Sequence, residues 1–202
     1  MRLKIVQAGE GVLRTHAREL SREEIQSQET RRLVEWMRET MRDAPGVGLA
    51  APQVGLPVQL AVIEDREELL RNIAPERLEM LGRRPVPFHV IINPVLTLHG
   101  EVAEFFEGCL SVAGFSALVP RSLRADVECF NEKGEPVRIR AEGWYARILQ
   151  HEIDHLHGAL YLDRMLSRSF MTVDHLTRLW NDLPVAEVKR RLAIGSAAVN
   201  LS

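Results

Sequence analysis

The sequence predicts an α+β fold, because strand-like and helix-like segments follow one another without a regular βαβ rhythm. Two observations carry this expectation. Apolar and polar residues alternate on both sides of a turn between Leu123 and Glu142, and apolar residues recur at helical spacing before and after that hairpin. At 202 residues, with 46% hydrophobic and 27% charged residues, the chain is long enough to bury the core of one domain and carry an appendage.

Ser21 and Glu24 make a Ser-x-x-Glu capping box, and Leu33, Val34, Met37 and Met41 fall on one face behind it. A first helix is therefore expected over about 22–43, ended by Pro45 and Gly46. Val58 to Glu64 is short, apolar and β-branched, as a buried strand is. Asp65 to Arg84 is charged and weakly periodic, which predicts a surface excursion holding at most a short helix. His89 to Leu98 is a second strand, edged or bent at Asn93-Pro94. Leu123, Ala125, Val127 and Cys129 alternate with polar residues, Asn131 to Gly134 turn the chain, and Val137 and Ile139 resume the pattern. Beyond Gly143 a helix is expected from Trp144 to His157, with Gly158 at its C-cap. Two helical patterns follow Met165, the second starting near Pro184, a favoured first-turn residue, with Val185, Val188 and Leu192 on one face.

Several function classes are disfavoured. A net charge of −2 argues against affinity built on phosphate neutralisation, so no direct DNA binding is expected. No apolar run approaches the roughly 20 residues that cross a bilayer. The first ten residues lack a signal-peptide core, which predicts a cytoplasmic rather than a secreted protein. Cys109 and Cys129 do not make a disulfide framework.

The chemistry concentrates in Gln150-His151-Glu152-Ile153-Asp154-His155. On a helix, residues four apart leave the same face, so His151 and His155 can share one metal ion, and Glu152 falls beside the first ligand as a proton acceptor. A surface helix with unrelated histidines is the plainer alternative, weakened by the intervening Glu. His157 points elsewhere. A catalytic site of this kind usually takes a third protein ligand. Tyr161 stands where a third histidine of one metalloprotease pattern would fall, and Glu187 lies on a solvent-facing helix. Cys109, in Glu107-Gly108-Cys109-Leu110-Ser111, is the better candidate, although most free cysteines are simply small buried hydrophobes. Cys129 keeps that plain role. Gly46 to Gln53 is rich in Gly and Ala, leaves the backbone accessible, and ends in a non-titrating amide suited to holding an oxyanion. Tight helix-to-strand packing would account for its small residues equally well.

Together, Gly46-Val47-Gly48-Leu49-Ala50-Ala51-Pro52-Gln53, Glu107-Gly108-Cys109-Leu110-Ser111 and Gln150-His151-Glu152-Ile153-Asp154-His155-Leu156-His157-Gly158 resemble the three motifs of the peptide deformylases, complete and in order. The Gly143-Trp144-Tyr145-Ala146-Arg147 run is similar to the branch that includes organellar enzymes. The resemblance spans about residues 3–165. It implies antiparallel sheets packed around a central metal-binding helix, a catalytic domain over 1–165, and a C-terminal helical extension over 166–202 that no motif covers. It also implies removal of the formyl group from the N-formylmethionine of nascent polypeptides with release of formate, in a bacterial-type cytoplasm, a processed organellar enzyme being the alternative. Cys109, His151 and His155 would hold one divalent ion, ferrous iron first, with zinc or nickel able to occupy the site. Glu152 would move the proton, and the Gln53 amide and Leu110 backbone N–H would hold the oxyanion. Val47, Trp144, Arg147 and Ile148 are expected to line the methionine pocket, with Gly48 and Gly108 presenting backbone to the peptide. Arg147 is alternatively expected to pair with Glu107. Core packing is the equal alternative for Trp144.

Two other functions remain open on sequence: a small endopeptidase using the same helix, and a metal-stabilised binding protein without turnover. Internal cleavage of peptide bonds would mark the first. The presence of Gln53, Cys109, Glu152 and both histidines speaks against the second. Lys189, Arg190 and Arg191 suggest a ribosome contact, against the plainer reading of a solvated face.

Overall fold

The structure, a computed structural model, describes residues 1–195. Of the stretch expected to form a C-terminal extension, 166–202, residues 196–202 lie outside the described residues.

The first predicted helix is two helices, α1 (Arg22–Ile25) and α2 (Gln28–Asp43). Both halves of the Ser21–Glu24 capping box form. The break arises because the Ser27 side chain accepts from the Thr30 N–H at 3.1 Å and starts a second helix. Val34, Met37 and Met41 are buried, as the spacing predicts. Then come β1 (Gly48–Ala50), a 3-10 turn over Ala51–Val54, and β2 (Leu60–Asp65). The charged excursion holds two short helices, α3 (Glu67–Leu70) and α4 (Pro75–Leu81). The buried Asp65 carboxylate ties its end back to the sheet, accepting from Arg83 at 2.8 and 2.9 Å.

The long strands β3 (Val86–Cys109) and β4 (Val112–Phe130) form one extended hairpin, and β5 (Pro136–Glu142) continues it. These strands pair antiparallel, in the order β1-β2-β3-β4-β5. The expected interruption at Asn93 is a left-handed residue, φ 50°, where the β3–β4 register shifts without ending the strand. Its side chain accepts from the Leu20 N–H and donates to the Leu20 carbonyl, which fastens the chain before α1 to the sheet.

The central helix, α5 (Gly143–Leu156), lies against this sheet. Ala146, Leu149, Ile153 and Leu156 are buried with Ile63, Ile91, Ala125 and Val127 in one cluster. Each fully buried Leu or Ile contributes about 1.5–3 kcal/mol, so packing fixes the position of this helix more than propensity does. Gly158 ends it with φ 76°, and a Cβ there would sit 2.8 Å from the Arg14 carbonyl oxygen. That close approach lets the N-terminal segment cross the helix end, where Ala17 donates to the Leu156 carbonyl.

After α5, β6 (Met171–Thr172) pairs with β4, followed by α6 (Val173–His175), a π-type turn over Leu176–Trp180 and α7 (Val185–Arg191). Pro184 is the N-cap of α7 rather than its first residue. No helix among the described residues is long and apolar enough to cross a membrane.

Candidate metal centre and its cleft

Two local structures build the centre. Cys109 ends β3 at the tip of the long hairpin, where Leu110 and Ser111 turn the chain into β4. His151 and His155 lie one turn apart on α5. The Cys109 Sγ and one ring nitrogen of each histidine fall within 4.8 Å of one another. Sγ is 3.2 Å from His155 Nε2, which is 3.3 Å from His151 Nε2. Thiolate and imidazole ligands of one tetrahedral ion lie roughly 3.3–3.6 Å apart, given bond lengths of about 2.0–2.3 Å. Two of the separations lie close to that range, so the three atoms converge as the ligands of a single divalent ion do.

Charge around the centre is organised by residues that sequence reasoning did not assign to it. His151 Nδ1 meets Glu107 Oε1 at 2.5 Å, which directs Nε2 toward Cys109 and His155. Glu107 also accepts from Arg121 at 3.0 and 2.7 Å. Arg121 in turn reaches Asp154 at 2.6 Å, and Asp154 accepts a further pair from Arg164. Burial alone would raise the Glu107 carboxyl, but His151 and Arg121 outweigh it and hold the group well below its ordinary range. The expected Glu107–Arg147 pair does not form. Arg147 instead donates to the Phe106 carbonyl at 3.0 Å and stacks between Phe105 and Trp144, 4.0 and 4.7 Å from their ring centroids. Burial brings its guanidinium down to about 10.

Glu152 is buried beside the triad, with Oε2 lacking a protein partner, and burial pushes its carboxyl up to about 7. A base poised near neutrality suits proton transfer at working pH. The structure supplies a reason for Gly48 beyond access by a peptide. A Cβ at Gly48 would lie 2.1 Å from Glu152 Oε1, so only glycine leaves room for the carboxylate. Gly48→Ala is expected to displace Glu152 and lower turnover about 100-fold with little change in KM; steady-state kinetics on metal-replete protein checks this.

Gln53 is oriented before any substrate arrives. Its Oε1 accepts from the Ala50 N–H at 2.9 Å, so Nε2 faces Ser111 Oγ at 3.2 Å and Cys109 Sγ at 3.5 Å. The Leu110 carbonyl accepts from Gln7 Nε2 at 3.0 Å, which sets the hairpin tip. Val6 donates to the Gln53 carbonyl and Ala8 to the Ser111 carbonyl. The N-terminal strand-like segment thus laces the first two motifs together.

These groups open on a cleft of about 390 Å³. Val47, Gly48, Gly108, Leu110, Trp144, Arg147 and Ile148 line it beside Gln53, Cys109, His151 and Glu152, and Val173 joins them from the C-terminal extension. A larger cavity of about 800 Å³ lies between α4 and the start of α5, away from the triad. Cys129 is buried in β4, and His157 stacks on His16 with ring centroids 5.0 Å apart, so neither joins the centre.

The sequence profile described as polypeptide deformylase matches residues 2–170. Peptide deformylase 1A, chloroplastic, from Solanum lycopersicum is 46% identical over 90% of this chain and 64% of the relative's own length. Peptide deformylase 3 from Streptomyces avermitilis is 44% identical over 89% of this chain and 78% of the relative. Among solved structures, the Met-Ala-Ser-bound class I type b peptide deformylase of Acinetobacter baumannii superposes with a TM-score of 0.73 at 31% identity. That match covers 82% of this chain and 99% of the other.

Proposed function

Since the chain belongs to the polypeptide deformylase family, a family of metal-dependent hydrolases, we propose that it removes the formyl group from the initiator N-formylmethionine of nascent polypeptides and releases formate. One observation carries the proposal. Cys109, His151 and His155 converge within 4.8 Å beside a buried Glu152 that only glycine at position 48 would admit.

The three ligand residues would hold the divalent ion. When bound, it supplies Lewis acidity, polarising the formyl carbonyl and lowering the pKa of a water. Glu152 accepts the proton of the attacking water and returns it to the leaving amine, so formamide and water become formate and amine. The Gln53 Nε2 and the Leu110 backbone N–H donate to the oxyanion. Because Gln53 Oε1 is already engaged by Ala50, the amide need not reorient during the reaction. Val47, Trp144 and Ile148 offer an apolar wall for the methionine side chain. Arg147 stiffens that wall through Trp144 and Phe105. Gly108 offers backbone to the peptide at the cleft's edge.

Ferrous iron is the proposed resident ion, with zinc or nickel as substitutes for the same donor set. Metal analysis of protein purified without air, beside activity after reloading with each ion, tests this. The enzyme is placed where formylated chains are made, in a bacterial cytosol or an organelle. For Lys189, Arg190 and Arg191 a solvated face is favoured over a ribosome contact, because Lys189 pairs with Glu104, and Arg190 and Arg191 both pair with Glu187.

The test of function is formate release from formyl-Met-Ala-Ser by metal-loaded protein. Robust release is expected; cleavage of internal peptide bonds without formate would overturn the proposal. Gln53→Ala is expected to lower kcat about 100-fold or more, since one oxyanion donor typically contributes about 3 kcal/mol. A change confined to KM would assign Gln53 to ground-state binding instead.

A further inference from the structure

The C-terminal extension reaches the cleft through a fixed path. Leu166 donates to the Leu118 carbonyl at 2.8 Å, and Leu118 donates to the Ser169 hydroxyl at 2.8 Å. Ser169 is fully buried. The strand β6 then pairs with β4, Thr172 opposite Phe115 and Met171 opposite Ser116. This register lays Phe170 on Phe115, with ring centroids 4.9 Å and planes 7° apart. It also sets Val173 on the wall of the cavity that contains Cys109, His151 and Glu152, and Phe115 lines the same cavity.

Phe115, Phe170 and Val173 are 39%, 40% and 45% exposed. Single exposed apolar residues are ordinary, but a contiguous group at a cleft marks a binding surface. The extension is anchored on the far side of this group as well. Asn181 accepts two bonds of 2.7 Å from Arg77, and Lys189 pairs with Glu104 at 2.6 Å. The group is therefore held in place before anything binds, which lowers the ordering cost of binding.

Resting on the deformylase activity proposed above, we propose that Phe115, Phe170 and Val173 form an apolar shelf for the side chains that follow the initiator methionine. Continuity decides the occupant. Under the proposed activity the substrate is a polypeptide whose first residue would sit beside the triad, and Phe115 and Val173 line that same cleft, so the residues that follow would pass over the shelf. Uncharged, apolar or aromatic side chains at the second and third positions suit its chemistry.

The test compares formyl-Met-Leu-Phe with formyl-Met-Ala-Ser. The parent protein is expected to favour the first by about tenfold in kcat/KM. Val173→Asp and, separately, Phe170→Ser are expected to bring that ratio within about twofold of unity. Both positions are exposed enough to tolerate the change without loss of fold, and Asp suits the first turn of α6. Calorimetry with the unformylated peptides Met-Leu-Phe and Met-Ala-Ser should show the same preference in binding. A parent ratio near unity, or an unchanged ratio in both variants, would overturn the shelf. So would a parent dimer that Val173→Asp dissociates, because a second copy would then be the occupant. If the parent releases no formate from either peptide, the proposed activity fails, while the calorimetric comparison still decides the shelf.

Discussion

Glu152→Gln is expected to lower formate release by about 10³- to 10⁴-fold while metal content stays equal to that of the parent. The magnitude follows from the two proton transfers assigned to one carboxylate, each of which falls within the usual range for general acid–base catalysis. The amide is nearly isosteric, so it still fits the space left by Gly48, but it cannot accept a proton. The neighbouring carboxylates are already engaged and do not take over this role: Glu107 is committed to Arg121 and His151, and Asp154 to Arg121 and Arg164. Formate assays with parallel metal analysis check the outcome. Activity within tenfold of the parent would remove Glu152 from the proton path.

Arg121→Met is expected to have the largest effect on stability. Arg121 is 3% exposed and serves Glu107 and Asp154 together. Removing one partner of a buried ion pair typically costs about 3–5 kcal/mol, because the other charge stays buried without compensation. Arg164 continues to serve Asp154, so most of the penalty falls on Glu107, which keeps only His151 as a partner. For a chain of this size, that corresponds to a fall in melting temperature of roughly 10 °C. Loss of the group that orients Glu107 should also weaken metal binding about 10- to 100-fold, since Glu107 directs His151. Thermal melts and metal competition together check both effects. The double variant Arg121→Met with Glu107→Gln should recover part of the lost stability but not the metal affinity, because it removes the stranded charge and leaves His151 without its carboxylate.

Legibility in the sequence followed the range of the interactions. The His151–His155 pair was readable because helical spacing alone puts both rings on one face. The β4–β5 hairpin was readable from alternation, and Cys129 and His157 keep the ordinary roles their surroundings suggested. The network behind the triad was not. Arg121 meets Glu107 through the β3–β4 register and Asp154 through the docking of α5, and neither relation leaves a local pattern. Without that information, Glu107 stands in the sequence only as an alternative partner for Arg147. The break between α1 and α2 did have a local signal, since Ser27 is a good N-cap, but continuous apolar spacing masked it. In the sequence Gly48 suggests backbone open to substrate, and its clearance for Glu152 emerges only when α5 is docked. Val173 lies beyond every motif and reaches the cleft through β6, a strand of two residues too short to announce itself.

The position of Cys109 at the hairpin tip has a kinetic consequence. Cys109 and Val112 close the end of the β3–β4 ladder, so this ligand is delivered by contacts between near neighbours in the chain. His151 and His155 are likewise delivered by a single helix. Both units form from local contacts, which are the fast ones, whereas bringing Cys109 to His155 closes a loop across 46 residues. Assembly of the centre therefore reports a late step of folding. During refolding, the Cys109 thiol should stay open to alkylation after hairpin and helix signals have appeared, and lose that reactivity only when the two halves dock.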